Sequence, residues 1–340
     1  MTQIPWAQRL LGLRRAGLFT EGEGVTVGVV DTGVATRAPA LSGRVTAQAG
    51  AGNDCVGHGT FVAGLIAAAP RSGVGFAGVA PGARIFAARG TDAAGTPDAA
   101  TVARGIRAAV DAKCQVVAVS AALTRNTSAL ASAVRYAAAH DVLLVAPAVP
   151  DTASTASDPS PSPKSSWPAA VPGVLSVVDF GIDGNRPTGA LQPARADLAA
   201  PGDQVSGVGP AGKGHFVGSG ASLAAAYTAG AAALVRAYHP ELSAAQTADR
   251  LRGTAYPADV PHLDINSALT GVLSDGPVTA RPSPAAFRML GLVHDGGAVR
   301  LAGLLAAGCA GLLLILVAAT ALHRRSRGDG SGRGGTGAHV

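Results

Sequence analysis

Short apolar runs bounded by Gly, Pro or Asp punctuate the first 270 residues. Residues 25–30, 84–88, 116–120, 142–146 and 174–178 are rich in β-branched side chains and are predicted to be buried strands. Between and after them lie Ala-rich stretches with few helix breakers, at 60–69, 99–112, 128–140 and 223–238, which are predicted to be helices. A further helix is expected over 243–252, because Ser243 can cap it and His239-Pro240 ends the one before. Strands that alternate with helices of this length imply an α/β fold, a mostly parallel sheet with helices on both faces.

The pattern changes near the end of the chain. Residues 301–322, LAGLLAAGCAGLLLILVAATAL, contain no charge and no polar face. A stretch of that length spans a hydrocarbon layer of roughly 30 Å as a helix, so it is predicted to be a single transmembrane segment. His323, Arg324, Arg325 and Arg327 follow it, and then a Gly-rich tail. Positive charge beside a span favours the cytoplasmic side, which puts the bulk of the chain outside the cell and the C-terminus in the cytoplasm. Arg9, Arg14 and Arg15 interrupt the apolar residues of the N-terminal segment, so no export signal is visible there. The expected organisation is an N-terminal extension (1–19), a globular domain (20–273), a Pro-containing linker (274–300), the span (301–322) and a basic, Gly-rich tail (323–340).

Composition agrees with a packed domain. Of 340 residues 48% are hydrophobic and 14% charged, and the mean hydropathy is +0.30, which excludes a disordered chain. The net charge of +6 at first suggests a nucleic-acid partner. Its distribution argues against one: of 27 basic and 21 acidic residues, 5 Arg and only Asp329 lie in 299–340, so that segment carries a net +4. The remaining +2 forms no basic stripe with interleaved aromatics. Cysteine and histidine spacings suit no zinc site, no calcium loop is evident, and no metal or cofactor is assigned. Cys309 falls in the span, which leaves Cys55 and Cys114 either as a disulfide suited to an oxidising exterior or as two buried thiols.

Three segments place one reactive side chain where this fold puts a strand end or a helix start. Val27-Gly-Val-Val-Asp31-Thr-Gly33 is a strand ending in a carboxylate, at the edge where ligands gather in open parallel sheets. Gly57-His58-Gly59-Thr60 sets a histidine at the mouth of an apolar helix. Gly218-Ser-Gly-Ala-Ser222 opens a long Ala-rich helix, with Ser222 near free backbone N–H groups and the positive end of the helix dipole. Taken singly, each has a structural alternative: a turn-forming Asp, a core His and an N-cap Ser. Asp31-Thr-Gly also matches an aspartic-protease loop, but that chemistry needs a second such carboxylate and no second copy exists. Gly73-Val-Gly-Phe-Ala-Gly78 matches a dinucleotide fingerprint, yet it follows Pro70 rather than a strand, and Pro81-Gly82 stops the helix it would open.

Taken in the order Asp, His, Ser, the three segments resemble the subtilisin-like serine proteases. Gly78-Val-Ala-Pro-Gly-Ala-Arg-Ile85, Trp167-Pro-Ala-Ala-Val-Pro-Gly-Val-Leu-Ser-Val177 and Asp197-Leu-Ala-Ala-Pro-Gly202 strengthen the likeness, which covers about residues 20–270. Pro5-Trp-Ala-Gln8, Asp54-Cys55 before the histidine and the C-terminal span resemble the mycosins, membrane-anchored subtilases associated with type VII secretion. The resemblance implies a peptidase acting on polypeptides with Asp31, His58 and Ser222 as its triad, and a secretion complex as a partner.

One departure concerns the oxyanion hole. Subtilases carry an Asn there, after a buried strand, and the matching stretch Leu144-Val-Ala-Pro-Ala-Val-Pro150 ends in a residue with neither a side-chain donor nor an N–H. Loss of such a donor costs about 10² to 10³ in turnover. The expectation is therefore a slow protease, unless Asp151, Thr152, Asn126 or Asn185 supplies a donor. Ala221 and Ala226 around the nucleophile, and Ala118-Val-Ser-Ala-Ala122 at the expected cleft edge, also depart from the family pattern. The alternative is a structural subunit of a secretion complex that retains its triad as a relic.

Overall fold

The computed structural model describes residues 2–151, 164–273, 311–312 and 315–320. The chain divides between Ser274 and Asp275 into two units, and the fold below is that of the first. In the second, residues 311–312 and 315–320 are helical. The predicted linker 274–300, span 301–322 and tail 323–340 otherwise lie outside the described residues. Among the described residues no helix is long and apolar enough to cross a membrane.

Two short helices, α1 (Trp6–Leu10) and α2 (Leu13–Ala16), open the chain. Within residues 2–19, Ala7, Leu11 and Ala16 are buried in the core of the domain, and Gln8 Nε2 donates to the Ala77 carbonyl. There follow β1 (Thr26–Asp31), β2 (Val45–Ala47), α3 (His58–Ala67), β3 (Arg84–Arg89), α4 (Ala99–Asp111), β4 (Val116–Val119), α5 (Ser128–Ala139) and β5 (Leu143–Pro147). The second half holds β6 (Leu175–Phe180), β7 (Leu198–Pro201), β8 (Val205–Val208), β9 (His215–Gly218), α6 (Ala221–Tyr238), α7 (Ala244–Gly253) and α8 (Ile265–Thr270).

Seven strands form one sheet in the order β2-β3-β1-β4-β5-β6-β7, and every pairing in it is parallel. The order reverses at β1, the place where doubly wound sheets open a crevice at their carboxyl edge. Alternate residues feed opposite faces. Val116 and Ala118 join the core built with α3 and α6, whereas Val117 and Val119 join the one built with α4 and α5. Burial on both faces is why these strands read as continuous apolar runs. β8 and β9 make a separate antiparallel hairpin beside α3.

All five predicted strands and all five predicted helices form. β2 has only three residues, two of them exposed, and carries no pattern to detect. β7 to β9 are four residues each, too short for periodicity to show.

Candidate active site

Two strand ends and two helix starts meet at the carboxyl edge of the sheet. Asp31 is the last residue of β1 and only 2% exposed. His58 is the first residue of α3, preceded by Gly57 at φ 94°, a left-handed turn that a side chain would strain. Ser222 lies in the first turn of α6, behind Gly220.

These elements bring Asp31, His58 and Ser222 together. His58 Nδ1 is 2.9 and 3.0 Å from the two Asp31 oxygens, and His58 Nε2 is 3.0 Å from Ser222 Oγ. The Thr32 N–H donates to Asp31 Oδ1 at 2.6 Å. Burial works against an ionised Asp31, but the charge of His58 and the hydrogen bonds it receives hold the carboxyl below its ordinary 3.8.

Asp54 supports this frame and was not singled out as functional in the sequence. Its buried carboxylate accepts from Thr32 Oγ1 (2.8 Å), the Gly57 N–H (2.8 Å), and the N–H and hydroxyl of Thr60 (2.8 and 2.6 Å). Thr32 Oγ1 in turn accepts from the Gly59 N–H. One carboxylate therefore ties the turn after β1 to the start of α3, fixing Asp31 relative to His58. Close approach requires glycine here, because a Cβ on Gly59 would run into the Gly33 carbonyl.

Asp151 closes the site from the fourth side. Its Oδ1 accepts from the Ser222 N–H at 2.9 Å, its Oδ2 accepts from Ser222 Oγ at 2.6 Å, and Oδ2 lies 3.5 Å from His58 Nε2. Asp151 is one of the residues expected to stand in for the donor that Pro150 lacks. Asp151 faces the nucleophile, and Pro150 lines the adjoining cavity. Of the other expected donors, Asn185 Nδ2 donates to Asp183 instead, and Thr152 lies outside the described residues.

The hydrogen bonds also indicate charge. Ser222 Oγ donates to Asp151 Oδ2, which leaves its lone pairs for a donor on His58 Nε2. Nδ1 faces Asp31, so both ring nitrogens have reason to carry protons. Asp31, and to a lesser degree the contact with Asp151, outweigh burial and push His58 from 6.5 up to about 11.

Beside the triad a cavity of about 390 Å³ is lined by Val56, Phe61, Phe216, Val217 and Leu223 as well as His58. On the other side of Asp151 a cavity of about 200 Å³ carries Asp179, Arg186 and Asp203. Among the described residues no cluster of three or more His, Cys, Asp or Glu could hold a metal. Cys55 and Cys114 are free thiols, the first exposed near the carboxyl edge of the sheet, the second buried just before β4 at its amino edge. The length of the sheet separates them, which removes the disulfide alternative in this structure.

A profile of the subtilase family matches residues 22–291. The chain belongs to that family. It is 32% identical to Mycosin-1 of Mycobacterium tuberculosis over 335 residues, covering 81% of this chain and 75% of that protein. Subtilisin Savinase of Lederbergia lenta is 34% identical over 257 residues, covering 74% of this chain and 91% of the relative. Among solved structures, MycP1 with its N-terminal propeptide removed superposes with a TM-score of 0.69 at 31% identity, covering 80% of this chain and 99% of the other. MycP3 protease from the type VII (ESX-3) secretion system gives 0.67 at 30%, covering 80% and 89%. This subtilase is a serine-type endopeptidase, similar to the mycosins among others.

Proposed function

We propose that this subtilase is a membrane-anchored endopeptidase of a type VII secretion apparatus, held by residues 301–322 and cutting polypeptides with Asp31, His58 and Ser222. The 3.0 Å approach of His58 Nε2 to Ser222 Oγ, with Asp31 behind Nδ1, is the observation that carries it. In this reading Ser222 Oγ forms a bond to the scissile carbonyl carbon while its proton passes to His58 Nε2. The C–N bond then breaks as the same proton moves to the leaving amine, and water releases the acyl group by the reverse sequence. Asp31 holds the ring tautomer and stabilises imidazolium. The apolar cavity beside His58 receives substrate side chains on one side of the cut.

Peptide hydrolysis by the purified full chain tests the triad. Removing the serine of an intact subtilase costs about 10⁶ in kcat, and the oxyanion site here already weakens turnover by about 10² to 10³. Ser222→Ala is therefore expected to lower kcat by about 10³- to 10⁴-fold; an unchanged kcat would remove Ser222 from the mechanism. Deleting 301–322 is expected to shift the protein from the membrane pellet to the soluble fraction, and its retention in the pellet would contradict the anchor. The acidic residue against Ser222 is the one observation favouring the structural-subunit alternative. The two readings part on secretion: normal export in a strain carrying Ser222→Ala, lost on deletion of 301–322, is the result expected of a scaffold.

A further inference from the structure

We propose that Asp151 is a catalytic residue of this protease, the oxyanion donor itself, and that it works as a carboxylic acid by sharing a single proton with His58. This rests on Ser222 being the nucleophile. Asp151 touches both groups that define the reaction centre, the Ser222 N–H and the Ser222 Oγ. Its position is built into the backbone: a Cβ on Gly220 would collide with the Asp151 carboxyl group, so glycine there lets the acid reach the start of α6.

As a carboxylate this residue blocks catalysis in three ways. It occupies the Ser222 N–H that should receive the oxyanion, it repels the negative charge that develops there, and it stabilises a protonated His58 that cannot act as base. Moving one proton from His58 Nε2 to Asp151 reverses all three at no change in net charge. His58 becomes a neutral base, and the Asp151 carboxyl swings off the Ser222 N–H and becomes a donor. The electron count closes in this arrangement. Ser222 Oγ bonds to the carbonyl carbon, the carbonyl π pair moves onto its oxygen, the serine proton goes to His58, and the Asp151 proton is donated to the new oxyanion. Collapse returns that proton to Asp151 as the C=O bond reforms, and His58 protonates the departing amine.

Both tautomers bear the same charge, so their ratio does not depend on pH while the pair keeps one proton. The groups facing Asp151 are His58 from α3, Ser222 from α6, Asp179 at the end of β6, and Arg186 and Asp203 from the loops around the adjoining cavity. Asp31 acts on it through the imidazole. Arg186 lies 3.6 Å from Asp179, so the Asp179 charge is partly offset.

The test is the second-order rate at which a fluorophosphonate inactivates the full-length protein between pH 5 and 10, for the wild type and for Asp151→Asn. Asn keeps the shape, donates permanently and frees His58. Asp151→Asn is expected to react about 10- to 100-fold faster at pH 8 and to rise with pH to a plateau as His58 loses its proton. The wild type is expected to stay flat or fall from pH 7 to 10. Ser222→Ala in either background is the blank, and thermal melts of both proteins report folding. Should Asp151→Asn unfold, the wild-type profile decides alone. A wild-type rate that climbs with alkaline pH, or a folded Asp151→Asn no faster than the wild type, overturns the proposal while leaving the serine protease standing. Absence of Ser222-dependent inactivation in both proteins overturns the two together.

Discussion

Asp54 receives four hydrogen bonds, so its loss would leave the buried donors of Thr32 and Thr60 and the half-buried Gly57 N–H without this partner. Such groups cost about 1 to 3 kcal/mol each, reduced where a hydroxyl can turn to another acceptor. Asp54→Ala is expected to lower unfolding free energy by about 3 kcal/mol in urea titration; a loss below about 1 kcal/mol would mean that the turn after β1 holds without it. His58 makes a second prediction. Its protonated form is stabilised in the folded state, so the benefit is full below the ordinary value of 6.5 and is lost progressively as pH rises towards about 11. The stability advantage of wild type over His58→Gln should therefore shrink steadily from pH 7 to 10. An advantage independent of pH would show that His58 is neutral in the resting site. At this scale the triad was legible because each member sits in a short motif at an element end. Asp151 was legible only as one of several substitute donors after Pro150, and Asp54 not at all as a functional residue, because nothing in a sequence of single letters tells a supporting carboxylate from a surface one.

The helix α6 shows how an element carries the site. Fifteen of its 18 residues are buried, most of them Ala, Gly, Ser or Thr, which lets the helix lie close to the sheet. Its Ala-rich composition was enough to predict the helix, and its burial on all sides explains why no amphipathic stripe appears. Gly230 in its middle looks like a weakness, since alanine favours a helix by about 1 kcal/mol more. A Cβ there would lie 2.6 Å from the Val79 Cβ, however, and overpacking of that kind costs about 1 to 3 kcal/mol. Gly230→Ala is thus expected to destabilise the protein despite the gain in propensity; a higher melting temperature would show that the segment around Val79 yields. The parallel strands were legible for the same reason as α6, continuous burial, whereas the three-residue β2 and the partly exposed β9 offer too few residues for any period.

For the molecule as a whole, the charge of +6 separates into a nearly balanced peptidase domain and a basic terminal segment behind an uncharged stretch long enough for a membrane span. A folded protease outside the cell on a tether is the arrangement we propose from this. Its site sets an acid against Ser222 while the contacts among Asp31, His58 and Ser222 stay intact. The claim on which everything else depends is that Ser222 is an activated nucleophile. Intact-mass measurement after treatment with diisopropyl fluorophosphate, followed by peptide mapping, tests it most directly. The account predicts one adduct per chain, on the peptide holding Ser222, absent from Ser222→Ala and formed faster in Asp151→Asn; no adduct on folded protein, or an adduct on another residue, would contradict it.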